Sequence, residues 1–178
     1  KMLNGFKQLQ EQHNQFLENL NQQLSSLDDV SKFMKSALLQ TSARNQFLGT
    51  IAQIETGTVN SEIQVQISDQ QRIVALVTEQ SRREMKLAQG ISVIAMIKAS
   101  SVTLAVGDDL KISARNVLTG VLVNLDRDAV NADVTIELAG EKTLSAMITN
   151  KSADQLVLAE GMVLSALFKA SSVILMVA

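Results

Sequence analysis

The spacing of hydrophobic and polar positions changes once along this chain. At the start, Met2, Phe6, Leu9, His13, Phe16 and Leu20 recur at steps of four and three, with Leu3, Leu17 and Leu24 beside them. That stripe predicts an amphipathic helix of about 24 residues, with a seam narrow enough for helix-to-helix pairing. Ser25-Ser26 ends it. Ser26, with Asp28 and Asp29 behind it, reads as the cap and acidic first turn of a second short helix. Val30, Phe33, Met34 and Ala37 supply that helix's buried face. His13 sits on the stripe as a seam residue, with a pH-sensing or ligand role as the alternative.

Beyond residue 40 the period falls to two. Ile63, Val65 and Ile67 alternate with Glu62, Gln64 and Gln66, and Val134, Ile136 and Leu138 alternate with Asp133, Thr135 and Glu137. Each run predicts a half-buried strand. Turns at 68–71 and 139–142 lead into returning strands at 73–77 and 144–148. Ser81-x-x-Glu84 and Ser152-x-x-Gln155 fit capping boxes, each opening one helical turn. Gly90 and Gly161 mark further turns. Strands at 91–97 and 101–106, with their copies, are expected to close each unit. With 46–55 counted first, each unit has five short strands and one short helix, which fits a five-stranded barrel of the oligonucleotide-binding (OB) type.

The two units are one sequence used twice. Ser42-Ala43-Arg44-Asn45 returns as Ser113-Ala114-Arg115-Asn116, Thr78 and Ser81 as Thr149 and Ser152, and Lys98-Ala99-Ser100-Ser101-Val102 as Lys169-Ala170-Ser171-Ser172-Val173. All are offset by 71 residues. A gapless repeat of this length is a domain copied in tandem. We therefore expect a helical segment at 1–40, a first barrel at 41–106, a linker at 107–112 and a second barrel at 113–178. Barrels this small are marginal alone, so they should pack on each other or on a second chain.

Composition narrows the function. The 178 residues carry a net charge of −2, which gives no global attraction to nucleic acid. There is no Cys and a single His, so thiolate sites, disulfides and a His cluster are excluded. No apolar run approaches the ~20 residues needed to span a bilayer, and no secretory signal is visible. The chain starts at Lys1, and we expect further sequence before it.

The polar residues kept in both copies carry the chemistry. Ser42, Arg44, Thr78, Ser81, Lys98 and Ser100 supply two fixed cations and four hydroxyls, with no carboxylate among them. The Ala-Ser after Lys98 adds backbone N–H groups in a turn, which can form an anion-binding concavity. Such a set suits a dianion with several equivalent oxygens. It also disfavours hydrogen phosphate, whose proton would lack an acceptor at a cost of about 1–3 kcal/mol. Sulfate must be rejected by size. Singly, each residue has a structural explanation: Ser42 and Ser113 as strand-entry turns, Ser81 and Ser152 as caps, Arg44 and Lys98 as surface cations. Jointly, in both copies, they point to an oxyanion site.

These residues resemble a known family. Gln40-Thr41-Ser42-Ala43-Arg44-Asn45-Gln46, then Gly49-Thr50-Ile51, is similar to the start of the molybdate-binding region of ModE-type molybdate-responsive transcription regulators. The Thr-x-x-Ser and Lys-Ala-Ser motifs resemble those of Mop (molbindin) domains. The resemblance covers nearly the whole chain. It implies a cytoplasmic homodimer of tandem Mop domains that binds molybdate, or tungstate, at sites shared between subunits. It also implies a winged helix-turn-helix domain upstream that binds operator DNA. The ligands it implies are Ser42, Arg44, Thr78, Ser81, Lys98, Ala99 and Ser100, with copies Ser113, Arg115, Thr149, Ser152, Lys169, Ala170 and Ser171. Thr41, Asn45, Gln46 and Gly49 would make dimer contacts. In some members the second repeat has lost the motif, whereas here it is intact, as in storage-type molbindins.

The leading reading is thus the effector-sensing half of a molybdate-dependent regulator, with molybdate as effector and no organic cofactor. The alternatives are a molybdate/tungstate storage protein and the C-terminal module of a transporter ATPase. An enzyme is the least favoured. The acidic pairs Asp28-Asp29 and Asp108-Asp109 have cap and turn explanations, and no nucleophile or base accompanies them.

Overall fold

The structure, a computed structural model, describes residues 41–107 and 111–177. The leader helices with His13, and the acidic pairs Asp28-Asp29 and Asp108-Asp109, lie outside the described residues.

The first repeat runs β1 (Asn45–Thr56), β2 (Asn60–Ser68), β3 (Gln71–Thr78), α1 (Glu79–Glu84), β4 (Ser92–Ile97), a 3-10 turn (Ala99–Ser101) and β5 (Thr103–Ala105). The second copies it as β6 (Asn116–Arg127), β7 (Asn131–Leu138), β8 (Lys142–Thr149), α2 (Asn150–Gln155), β9 (Val163–Phe168), a 3-10 turn (Ala170–Ser172) and β10 (Ile174–Val177). All strand pairs are antiparallel. The alternation read from sequence sets their faces: Ile63, Val65, Val134 and Ile136 are fully buried, and the residues between them are more open.

The central strand of each sheet is long because it serves two neighbours. β1 pairs with β4 along residues 45–50 and with β2 from Thr50 onward. It must curl between the two, and a bulge at Ala52 takes up the change. Gly49 sits at the bend, where a Cβ would lie 2.5 Å from the Gln66 carbonyl oxygen. Its copy Gly120 meets Glu137 in the same way, at 2.3 Å. The backbones approach too closely there for any side chain. The result is two curled five-stranded sheets.

The closing strands differ from the sequence expectation. The sheet orders are β10-β4-β1-β2-β3 and β5-β9-β6-β7-β8. The last strand of each repeat therefore completes the other repeat's sheet: Leu104 sits opposite Ala166, and Leu175 opposite Ala95. Residues 101–106 do not close their own unit. The exchange joins the two repeats into one apolar core, in which Phe47, Ile51 and Ile73 are continuous with Leu122, Leu144 and Phe168. This is how two marginal units gain a shared interior.

The short helices also differ in one respect. Thr78 and Thr149, not Ser81 and Ser152, are the N-caps. Their hydroxyls accept from the backbone N–H of Ser81 (3.1 Å) and Ser152 (3.2 Å). The capping motif starts three residues earlier than the Ser-x-x-Glu spacing suggested. At the other end Lys86 and Val157 take φ of 52° and 50°. Their N–H groups, and those of Leu87 and Leu158, turn back to the last carbonyls of each helix.

Candidate functional site

The anion-binding residues implied by sequence lie where the two repeats meet. Asn45 and Asn116 build that junction. Each is buried, and each offers its amide to the backbone of the other repeat's edge strand. Asn45 donates to the Ser145 carbonyl (2.8 Å) and accepts from the Ser145 N–H (2.7 Å). Asn116 does the same with Val74, at 2.8 and 2.7 Å. A carboxamide has the donor–acceptor pair of a peptide unit, so it caps β8 and β3 where the sheet ends. The flanking residues brace the strand entry: Thr41 Oγ1 accepts from the Ala43 N–H and Gln46 Nε2 donates to the Ala43 carbonyl. Gly49 lies further along β1, at the bend.

One residue before each Asn, the arginine crosses the junction too. Arg44 makes a two-pronged contact with Asp133, at 2.6 and 3.0 Å, and Arg115 makes one with Glu62, at 2.6 and 3.3 Å. Hydrogen bonding to Arg44 holds the Asp133 carboxyl below the usual carboxylate range, and the carboxylates raise both guanidinium groups. Identity between the copies does not reveal these two acids, because one is Glu and the other Asp. Matching residues by charge across the repeat would have found them.

The register shows which predicted ligands come together. Asp133, which holds Arg44, lies opposite Met147 on β8, and Asn131, two residues back on β7, lies opposite Thr149. Arg44 therefore reaches the Thr149 end of the second sheet. Lys98 follows Ile97, the partner of Asn45, and so lies beside Arg44. The Ala99–Ser101 turn after it packs on β8. There Thr149 and Ser152 join hydroxyls at 2.9 Å. One group is thus Ser42, Arg44, Lys98, Ala99 and Ser100 from the first repeat, with Thr149 and Ser152 from the second. The reciprocal group is Ser113, Arg115, Lys169, Ala170 and Ser171, with Thr78 and Ser81 bonded at 2.8 Å. The structure does not gather each repeat's own Thr and Ser with its own Arg and Lys. Ser42, Ser113, Lys98, Lys169, Ser100 and Ser171 are all exposed, and Ala99 and Ala170 are buried at the foot of their turns.

The repeats differ beside these groups. Glu79, buried after Thr78, is held by Arg82, Arg83 and the Ser61 hydroxyl, which drive its carboxyl far below the usual range. The second copy has Asn150, Ala153, Asp154 and Ala132 at these positions. Thr78 and Glu79 also border an open hollow with Val59, Gln80 and Arg83.

A TOBE domain profile matches residues 41–104 and again 112–175. The chain belongs to the TOBE domain family. Its tandem TOBE repeats are 43% identical over 141 residues to the molybdenum-pterin-binding protein MopA of Rhodobacter capsulatus, covering 79% of this chain and 53% of that one. The molybdenum transport protein ModE of Azotobacter vinelandii is 34% identical over 177 residues, covering 97% of this chain and 66% of the relative. The chain thus spans between half and two thirds of these relatives' length. Among solved structures, the cytoplasmic molybdate-binding protein ModG, crystallised with molybdate bound, aligns with a TM-score of 0.76 and 38% identity. That match covers 79% of this chain and all of ModG.

Proposed function

We propose that the tandem TOBE repeats bind molybdate, or tungstate, in two composite sites at the junction between repeats. The observation that carries the reading is the pairing of Arg44 and Lys98 with Thr149 and Ser152, and of their copies with Thr78 and Ser81, by strand register. Each site offers two cations, hydroxyls and the first N–H groups of a 3-10 turn, which have no partner inside the turn. A fully deprotonated tetrahedral dianion uses all of these donors. The molybdate bound by ModG supports the same chemistry, and the names of MopA and ModE support molybdenum as its element.

The biological role we assign is the effector-sensing part of a molybdate-dependent transcription regulator acting as a cytoplasmic homodimer, with operator DNA bound by a domain outside this sequence. The DNA-binding transcriptional dual regulator ModE of Escherichia coli is 32% identical over 152 residues, and the alignment with Azotobacter vinelandii ModE covers 97% of this chain against 79% for ModG, which favours the regulator over a storage protein. Exposed Val117, Val121 and Val163, the last two paired across β6 and β9, give a second chain an apolar face to cover. The storage reading keeps one support, the intact second motif. We assign binding and no catalysis. Anion binding can shift a dimer between states only by its difference in affinity for them.

The test is a calorimetric titration with molybdate, with sulfate and phosphate as competitors. We expect saturable binding that excess sulfate does not displace, with two sites per chain. Arg44→Ala should remove one site and leave the fold intact. Wild-type-like stoichiometry in that variant refutes the assignment. Coding sequence upstream of Lys1 decides between regulator and store.

A further inference from the structure

Asp133 and Glu62 are the acids that occupy the binding arginines. Asp133 lies on β7, half-open to solvent, and Glu62 on β2, more covered, and each grips the guanidinium of the other repeat. The two positions are equivalent, 71 residues apart, and both copies keep an acid while changing its length. The sequence set of donors was free of carboxylates, but the folded site is not. Among the described residues Lys98 and Lys169, the other cation of each group, form no salt bridge. Among these residues the arginine is the cation that is held.

We propose that Asp133 and Glu62 are built-in competitors for the anion, each occupying one binding arginine until an oxyanion takes it. The inference rests on the composite-site reading above. A carboxylate gives the guanidinium two oxygens and one charge. A tetrahedral dianion gives four oxygens and two charges, and also engages the lysine and hydroxyls that the carboxylate leaves untouched. A dianion that fills the whole site displaces the acid, and an anion that reaches the arginine alone does not. The acid therefore sets a threshold that lowers affinity and favours ligands of the right size. Each pair also spans the two repeats, so anion entry exchanges one link across the junction for another.

The opposite role, a carboxylate that orients the arginine for the anion, predicts the opposite sign. Molybdate titrations of the full chain would compare wild type with Asp133→Asn, Glu62→Gln and Arg44→Ala, with circular dichroism as a check on folding. We expect Asp133→Asn and Glu62→Gln each to tighten one site about two- to fivefold, the range open to a part-exposed ion pair. Sulfate should compete better in both. Unchanged or weaker binding in both variants overturns the proposal while the site reading stands. If wild type fails to bind, or Arg44→Ala binds as wild type does, the site reading falls and the competitor role falls with it. Should one variant fail to fold, the other tests the equivalent pair.

Discussion

Val157 shows how a single residue can be out of place without harm to the fold. It holds φ near 50° and is 75% exposed, so it bears left-handed strain and gains no packing in return. Val157→Asn should stabilise the protein by about 0.5–1 kcal/mol, measured by chemical denaturation, because Asn tolerates that conformation and a β-branched residue does not. Asn45 is the contrasting case. Its carboxamide is buried with both functions paired, and Asn45→Ala should cost about 1–3 kcal/mol by stranding the Ser145 backbone. Glu79 gives a pH prediction. Its folded carboxyl lies below its unfolded value, so its stabilisation is present above the ordinary glutamate range and is lost as pH falls through the lowered value. The gap in Tm between wild type and Glu79→Gln should be full at pH 7 and shrink in strong acid. A constant gap would mean that Glu79 acts by packing alone.

The elements carry the geometry of the junction. β1 can serve both β4 and β2 only by curling, and it curls at Gly49 because the Gln66 carbonyl leaves no room for a Cβ. Gly49→Ala should destabilise by about 1–3 kcal/mol through overpacking, read as a fall in the denaturation midpoint. It should also weaken anion binding, since the bend directs the Arg44 end of β1 toward β8. The helices α1 and α2 are too short to persist by propensity alone. They exist because Thr78 and Thr149 cap them at one end and Lys86 and Val157 turn them back at the other. The same hydroxyls serve as cap and as proposed ligand.

The whole molecule is two copies locked by exchange. Since β5 and β10 each complete the other sheet, neither repeat is a finished unit. A fragment of residues 41–106 should not fold as a monomer. It should pair with a second copy of itself, seen as a concentration-dependent dimer by sedimentation. A stable folded monomer would show that β5 can turn back onto its own sheet. Both proposed composite sites also depend on the exchange, because each draws on both repeats. Breaking the junction should therefore abolish both at once.

Much of this was written in local pattern. Alternation along 62–67 and 133–138 determined the strands, because a half-buried strand must place every second residue in the core. The offset between Ser42 and Ser113 determined the repeat, and the shared Ser, Arg, Thr and Lys residues named the candidate ligands. What sequence could not decide was partnership. Leu104 fits beside Ala95 or Ala166 equally well by pattern, since the two sheets are copies, and only the tertiary structure puts it beside Ala166. The same holds for Thr149, whose end of β8 lies near the Asp133 that holds Arg44 and not near the Glu62 that holds Arg115, and for Asp133, whose carboxylate comes from the other repeat. Periodicity specifies which face of a strand is buried. It carries no information on which of two equivalent edges that strand will join, and that choice is made by chain reach and by the closing of one shared core.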